Sequence, residues 1–220
     1  RYLFNVHLGV ATDTGDAEGK PVQQQASPAL SEEVVRAVLP SFLGPQMQVP
    51  PMYSALKHEG KRLYDLARSG QTVPRAARSI VISSLCFHAL TKDTLTLEAS
   101  VSKGTYIRAL AEDLGTALNL PAHVKTLRRT QAGPFGLTNA VTLAQLEAAV
   151  DTGSEDSLDA LLLPVDASLT HLPSVLLSEA ATFYLRKGQT VVVPNGPQSG
   201  MVRIAGAEGD FLGVGKVQED

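Results

Sequence analysis

At residues 94–118 the hydrophobic period changes from two to alternating steps of three and four, and the change falls on one polar stretch, SKGTYIR, at residues 102–108. Upstream, Leu95, Leu97, Ala99 and Val101 alternate as in a strand with one buried face. Downstream, Ile107, Leu110, Ala111, Leu114 and Leu118 recur at helical steps, predicting an amphipathic helix that ends between Gly115 and Asn119. The handover lies at Gly104, and the N–H groups of residues 105–108 open the helix with a partial positive charge that attracts anions. Two readings of the junction stand side by side. One is an ordinary helix start, capped by Ser102 or Thr105, with Arg108 as a surface cation; the other is a site built to meet a negative charge.

The rest of the chain alternates strands and short helices. Tyr2, Phe4, Val6, Leu8 and Val10 share one face of an opening strand. A chain that begins inside a strand, without an initiator methionine, is expected to have been shortened by truncation or cleavage. The turn-rich TDTGDAEG at residues 12–19 is no phosphate loop, because only three residues separate Gly15 from Gly19 and Pro21 follows Lys20 where a Ser or Thr is needed. Ser31 is the expected cap of a helix that breaks at Pro40. Residues 49–78 form a long excursion around one short helix, 62–69, stopped by Gly70. A hairpin of residues 79–90 with 94–102 leads into the junction, residues 124–132 are strand-like, and Thr142 with Gln145 forms a capping box for a helix over 143–150. Beyond a linker at 164–173 come a helix capped by Ser178 and stopped by Gly188, then three short strands near Thr190, Met201 and Phe211.

Composition narrows the chemistry. The single Cys86 sits in the apolar run 80–90, so a buried core thiol is expected, which fits a reducing cytosol. The net charge of −3 argues against a strongly basic nucleic-acid binder, but its distribution argues the other way. Residues 57–78 hold six cations against Glu59 and Asp65, and residues 103–129 hold five against Glu112 and Asp113. The acids collect at 151–159 and at Glu219 and Asp220. Such segregation suggests a basic face for phosphates; solvated helix surfaces are the plainer alternative. The five histidines are scattered and show no metal-ligand spacing, and no G-x-S-x-G elbow is present. The densest polar set is Tyr2, Asp13, Asp16, residues 103–108 and residues 123–129.

Four stretches, RYLFNVHLGVATDTGDAEGK, VPPMYSALKHEGKRLYDLAR, SKGTYIRALAEDLG and PAHVKTLRRTQAGPF, resemble in this order the bacterial tRNA pseudouridine-55 synthases of the TruB family. The resemblance implies an α+β fold with a mixed, mainly antiparallel sheet flanked by helices. It also implies a catalytic domain over residues 1–165 and a small PUA-like RNA-binding module over residues 172–220. It implies a cytoplasmic, monomeric isomerase that needs no metal or cofactor and acts on the T-stem-loop of tRNA. One uridine is detached at N1 and rejoined through C5, with the base out of its stack.

By resemblance Tyr2 packs on the flipped base and is a candidate for moving the C5 proton; the plainer reading of Tyr2 is a core strand aromatic. Tyr106 lines the base pocket, Arg108 pairs with the catalytic aspartate, and Leu127 borders the uracil. Lys57, Lys61 and Arg62 are expected near phosphates on a flap over the T-loop, and Lys103 near the substrate. Asp13 is expected either to brace Arg108 or Tyr2 or to stabilise its own turn. The family's aspartate lies in a G-x-x-D-P-x-A-x-G motif that does not occur in these residues, and neither Asp13 nor Asp16 has that context. The chain by itself is therefore expected not to turn over. The competing hypothesis is a non-catalytic module that grips structured RNA as a folding aid.

Overall fold

The computed structural model describes residues 1–26, 30–194 and 196–218, so the acidic pair Glu219 and Asp220 lies outside the described residues. Contacts divide the chain into two units, residues 1–130 and 131–220. In chain order the first unit carries β1 (Tyr2–Leu8), β2 (Val10–Thr12), β3 (Pro21–Gln24), α1 (Glu32–Val38) and β4 (Gly44–Gln48). There follow β5 (Lys57–His58), β6 (Lys61–Arg62), α2 (Leu63–Arg68), β7 (Arg78–Leu90), β8 (Thr94–Val101), α3 (Ile107–Ala117) and β9 (Ala122–Arg129). Strands β4, β7, β8, β1 and β9 form, in that order, one antiparallel sheet.

The expected alternation is what closes the core. Phe4, Val6 and Leu8 of β1 and Leu95, Leu97 and Ala99 of β8 are all buried on the face that receives α1 and α3. From α3 come Ile107, Leu110, Ala111 and Leu114, one helical stripe that turns the period change into a sheet-on-helix contact. Leu114 is fully buried, so Leu114→Ala would cost about 2–5 kcal/mol. The helix also runs unusually close to the next strand. A Cβ on Gly115 would lie 2.5 Å from that of Ala122, which only glycine avoids. Ser31 caps α1 as expected, accepting from the Val34 N–H.

Cys86 corrects one expectation, because it is exposed. Ile80 and Ile82 of β7 point into the core, but a bulge between Ile82 and Ser84 shifts the phase of the strand. After it Leu85 turns inward, and Cys86, opposite Glu98, turns out.

The second unit carries β10 (Gln131–Ala132), β11 (Phe135–Gly136), α4 (Leu143–Asp151), α5 (Glu155–Asp159), β12 (Ser174–Leu176), α6 (Glu179–Arg186), β13 (Gly200–Ala205) and β14 (Phe211–Val217). The capping box of Thr142 and Gln145 is formed, and Ser178 caps α6. Strands β12, β13 and β14 make a three-stranded sheet with its own small core of Val175, Leu177 and Val202. Its first strand is β12 and not a strand at Thr190; residues 189–193 are irregular, although Val191 and Val193 still pack on that core. Among the described residues no helix is long and apolar enough to cross a membrane.

A candidate active site at the head of α3

The junction at residues 102–108 differs from an ordinary helix start. Tyr106 holds the N-cap position in extended conformation with no side-chain cap, so neither Ser102 nor Thr105 plays that part. Ser102 instead accepts from the Val81 N–H at 2.9 Å and fastens β7. What satisfies the backbone of Tyr106 comes from β4. Gln48 Oε1 accepts from the Tyr106 N–H at 2.8 Å, and Gln48 Nε2 donates to the Tyr106 carbonyl at 3.1 Å.

Arg108, in the first turn of α3, reaches back to two loops. Its Nη1 donates to the Thr14 carbonyl at 3.1 Å and to Asp16 Oδ2 at 3.2 Å, and its Nη2 donates to the Tyr53 carbonyl at 2.6 Å. With 20% of its side chain exposed it is no surface cation. The turn at residues 12–19 docks here because Gly15 adopts φ +75°. The Gly15 carbonyl accepts from the Val124 N–H at 3.0 Å, and Asp16 bridges Val124. Asp16 is doubly engaged, since its Oδ1 accepts from Thr14 Oγ1 at 2.6 Å and from the Glu18 N–H at 3.2 Å. Asp13 has the other role considered for it: it is exposed, and its Oδ1 accepts from the Lys20 N–H at 2.8 Å within the turn. One turn further along α3, burial raises the pKa of Glu112 and Asp113 adds to the rise, while Arg108 and Arg75 oppose it.

Strand register places the remaining candidates. Tyr2 lies between Ala99 and Arg129, and Phe4 is paired with Leu127, so Tyr2 and Leu127 belong to one sheet face at the end where β8 leads toward α3. Tyr2 is half-buried against the core, with the Arg129 guanidinium 5.4 Å from its ring centre; Leu127 is 48% exposed. Among the described residues no hydrogen bond or ring contact joins Tyr2 to Tyr106 or Arg108. Lys103 is exposed beside Gly104, whose φ is +84°.

The basic excursion contains a hairpin as well as the expected helix. Glu59 and Gly60, with φ of 49° and 83°, turn β5 into β6, so that Lys57 faces Arg62 and His58 faces Lys61. Lys57, Lys61 and Arg62 are all exposed. Like charges held opposite one another in a ladder repel, so this pairing is best relieved by an anion.

Comparison with known proteins identifies the family of the chain. Residues 1–107 match the N-terminal domain of the TruB family pseudouridylate synthases. Residues 108–170 match the tRNA pseudouridylate synthase B C-terminal domain, and residues 173–220 match the C-terminal part of pseudouridine synthase II TruB. The chain is 50% identical over 219 residues to the tRNA pseudouridine synthase B of Stutzerimonas stutzeri (strain A1501) and 47% identical to that of Pseudomonas putida (strain GB-1). It is covered completely in both cases and spans 72% of each relative. Among solved structures, a Cbf5-Nop10-Gar1 complex superposes with a TM-score of 0.70 at 22% identity. An H/ACA RNP bound to a substrate RNA containing 2′-deoxyuridine does so with a TM-score of 0.70 at 21% identity. The chain covers 59% and 58% of those two chains, and at such identity the likeness speaks for the fold.

Proposed function

The chain belongs to the TruB family of pseudouridylate synthases, and from that premise we propose that it grips the T-stem-loop of tRNA and forms the uracil-facing part of the pocket in which uridine 55 becomes pseudouridine. The protein is an isomerase. The bond from N1 of the base to C1′ of the ribose breaks, the base turns, a bond forms from C5 to C1′, the C5 proton leaves and N1 takes up a proton, so that the atoms balance with no oxidant or reductant. The base must first leave its stack, at a cost of a few kcal/mol. A half-buried Tyr2 at the sheet end offers a ring for it, and stacking a base contributes roughly 1–3 kcal/mol. Tyr106 lines the pocket beside it, and Leu127 borders the base from β9.

The observation that carries this reading is the triple grip on Arg108. A guanidinium has five N–H donors. The Thr14 and Asp16 contacts fall on Nη1 and the Tyr53 contact on Nη2, which leaves two donors, one of them Nε–H. Those donors suit a carboxylate, which they would keep ionised and aimed at the ribose. Asp16 is not that carboxylate, because both of its oxygens are already engaged. It acts as the brace that holds the guanidinium still.

The hairpin cations Lys57, Lys61 and Arg62, with Lys103, hold phosphates of the stem-loop, and Asp13 keeps the shape of the turn that carries Asp16. We divide the work between a catalytic domain over residues 1–165 and a PUA-like RNA-binding module over residues 172–220, whose support is the small sheet β12–β14 and its separate core. The protein works in the cytoplasm as a monomer, and light scattering that reports a dimer would overturn the latter.

The chain spans 72% of its relatives, so the assay is run on the full-length protein. A T-stem-loop labelled with tritium at C5 of uridine 55 is expected to release its label and to yield pseudouridine on nucleoside analysis. Intact uridine after prolonged incubation would sink the proposal.

A further inference from the structure

Gln48 ends β4 at the edge of the five-stranded sheet and is 5% exposed. Its amide makes both of its bonds to one residue: the acceptor oxygen takes the Tyr106 N–H at 2.8 Å, and the amide nitrogen gives to the Tyr106 carbonyl at 3.1 Å. Acceptor and donors lie on one planar group, so two bonds to the same residue set its tilt as well as its distance. A side chain thus copies the pairing that a neighbouring strand would supply. It does so at a residue 58 positions away, where the chain leaves β8 and α3 has no side-chain cap.

The consequence reaches two groups at once. Tyr106 stands at φ −101° and ψ 114°, and fixing its two flanking peptides fixes the direction in which its ring leaves the backbone. Arg108 begins two residues later, so the same clamp sets where its arm starts. A second fastening falls on the same segment, because the Tyr53 carbonyl, five residues beyond Gln48, receives Arg108 Nη2 at 2.6 Å. The stretch from Gln48 to Tyr53 therefore holds the head of α3 by the backbone of one pocket residue and by the guanidinium of another. An ordinary N-cap would satisfy N–H groups deeper in the helix and leave the orientation of Tyr106 open.

We propose that Gln48 is a positioning residue of the reaction: its amide locks the Tyr106 backbone and through it the geometry of the Tyr106 ring and of Arg108 against the base. This rests on reading the protein as a tRNA pseudouridine synthase. Without the amide, the Tyr106 N–H and carbonyl must seek other partners, and the ring swings with them.

The test uses the full-length protein, a T-stem-loop RNA, and the variants Gln48→Leu and Gln48→Glu, all assayed well below their unfolding midpoints. Gln48→Leu keeps similar bulk and loses both bonds. Its single-turnover rate is expected to fall by roughly 100-fold, the scale of a small misplacement of reacting groups, while its affinity for the RNA stays that of the wild type. Gln48→Glu keeps the acceptor. When ionised it sets an oxygen against the Tyr106 carbonyl, and when protonated it can donate again. Its rate is therefore expected to be low at alkaline pH and to recover as pH falls through the titration of the introduced carboxyl, a profile that the wild type lacks. Should Gln48→Leu not fold, the Gln48→Glu profile decides. A wild-type rate in Gln48→Leu, a loss of rate matched by an equal loss of RNA affinity, or a Gln48→Glu profile parallel to the wild type would overturn the proposal. Amide exchange separates it from the parent reading. In a wild type that makes no pseudouridine the function fails, yet the clamp is still tested, because the Tyr106 amide is expected to be protected in the wild type and to exchange freely in Gln48→Leu.

Discussion

Asp16 Oδ2 accepts from Arg108 Nη1 at 3.2 Å across 92 residues of chain, while Asp13, in the same turn, accepts from the Lys20 N–H at 2.8 Å. Two acids of one turn thus have separable roles. The first steadies a guanidinium, and the second shapes the loop that delivers the first.

Asp16→Asn turns an acceptor for Arg108 into a group that presents N–H against N–H or, if flipped, gives up the bonds from Thr14 and Glu18. The single-turnover rate on a T-stem-loop is expected to drop by about 100-fold with RNA affinity retained. Asp13→Asn keeps an oxygen for Lys20, so the rate is expected to stay at the wild-type value and stability to fall by no more than about 1 kcal/mol. Stopped-flow or quench kinetics on the two variants decide. Equal losses in both would remove Asp16 from its role. Arg108→Ala is expected to nearly abolish turnover while RNA binding persists.

The paired cations of the β5–β6 hairpin make a prediction about salt. If Lys57 and Arg62 each meet a phosphate, their replacement by alanine weakens binding of the stem-loop across sequences. It also lowers the slope of log affinity against log salt by roughly one for each phosphate left without its cation. Titrations at several potassium chloride concentrations measure it. An unchanged slope would show that the hairpin stands clear of the RNA.

Much of this arrangement was readable from residues, and the parts that were not have a common cause. The strand-to-helix handover, the caps at Ser31, Thr142 and Ser178 and the two buried faces of β1 and β8 follow from local pattern, which needs only a few adjacent residues. The resemblance singled out Tyr2, Tyr106, Arg108 and Leu127 by motif. The partner of Arg108 was not legible, because Asp13 and Asp16 sit in one turn and only its docking on Val124, permitted by Gly15, selects between them. Gln48 carried no signal at all: the second of two glutamines in a short strand becomes important only when β4 is brought to the sheet edge beside α3. Cys86 was misplaced by one bulge, which no alternation pattern shows in advance. The β5–β6 hairpin was missed because its turn is Glu-Gly, a weaker signal than Asn-Gly or Asp-Gly.

His7 predicts how stability responds to acid. Its ring lies 5.1 Å from that of His123, and its Nδ1 is buried without a hydrogen-bond partner among the described residues. Burial lowers its pKa below the usual 6.5; Asp93 opposes this, while His123 and Lys125 add to it. A base with a depressed folded pKa is protonated first in the unfolded chain, so this contribution to stability is complete above the usual imidazole range and is lost as pH falls through and below about 6.5. The unfolding midpoint is expected to decline between pH 7 and pH 5, and less so in His7→Phe, which cannot titrate. Parallel declines in the two proteins would assign the effect to other groups.

Gly15 links backbone conformation to the site. At φ +75° any other residue is strained by about 1–2 kcal/mol, and a Cβ here would also meet Glu112 Oε1 at 2.6 Å and Arg108 Cβ at 3.4 Å. The Glu112 carboxylate is a movable end, and 3.4 Å to the Arg108 Cβ is van der Waals contact, so the backbone strain is the larger effect. Relieving that strain shifts the turn, and Asp16 moves with it. Gly153 supplies the control, since at φ +67° it carries a similar backbone strain with nothing within 4 Å of the added atom. Both Gly15→Ala and Gly153→Ala are expected to lower the unfolding midpoint, whereas only Gly15→Ala slows pseudouridine formation. An equal slowing in both would mean that the rate follows overall stability and not the docking of the 12–19 turn on α3.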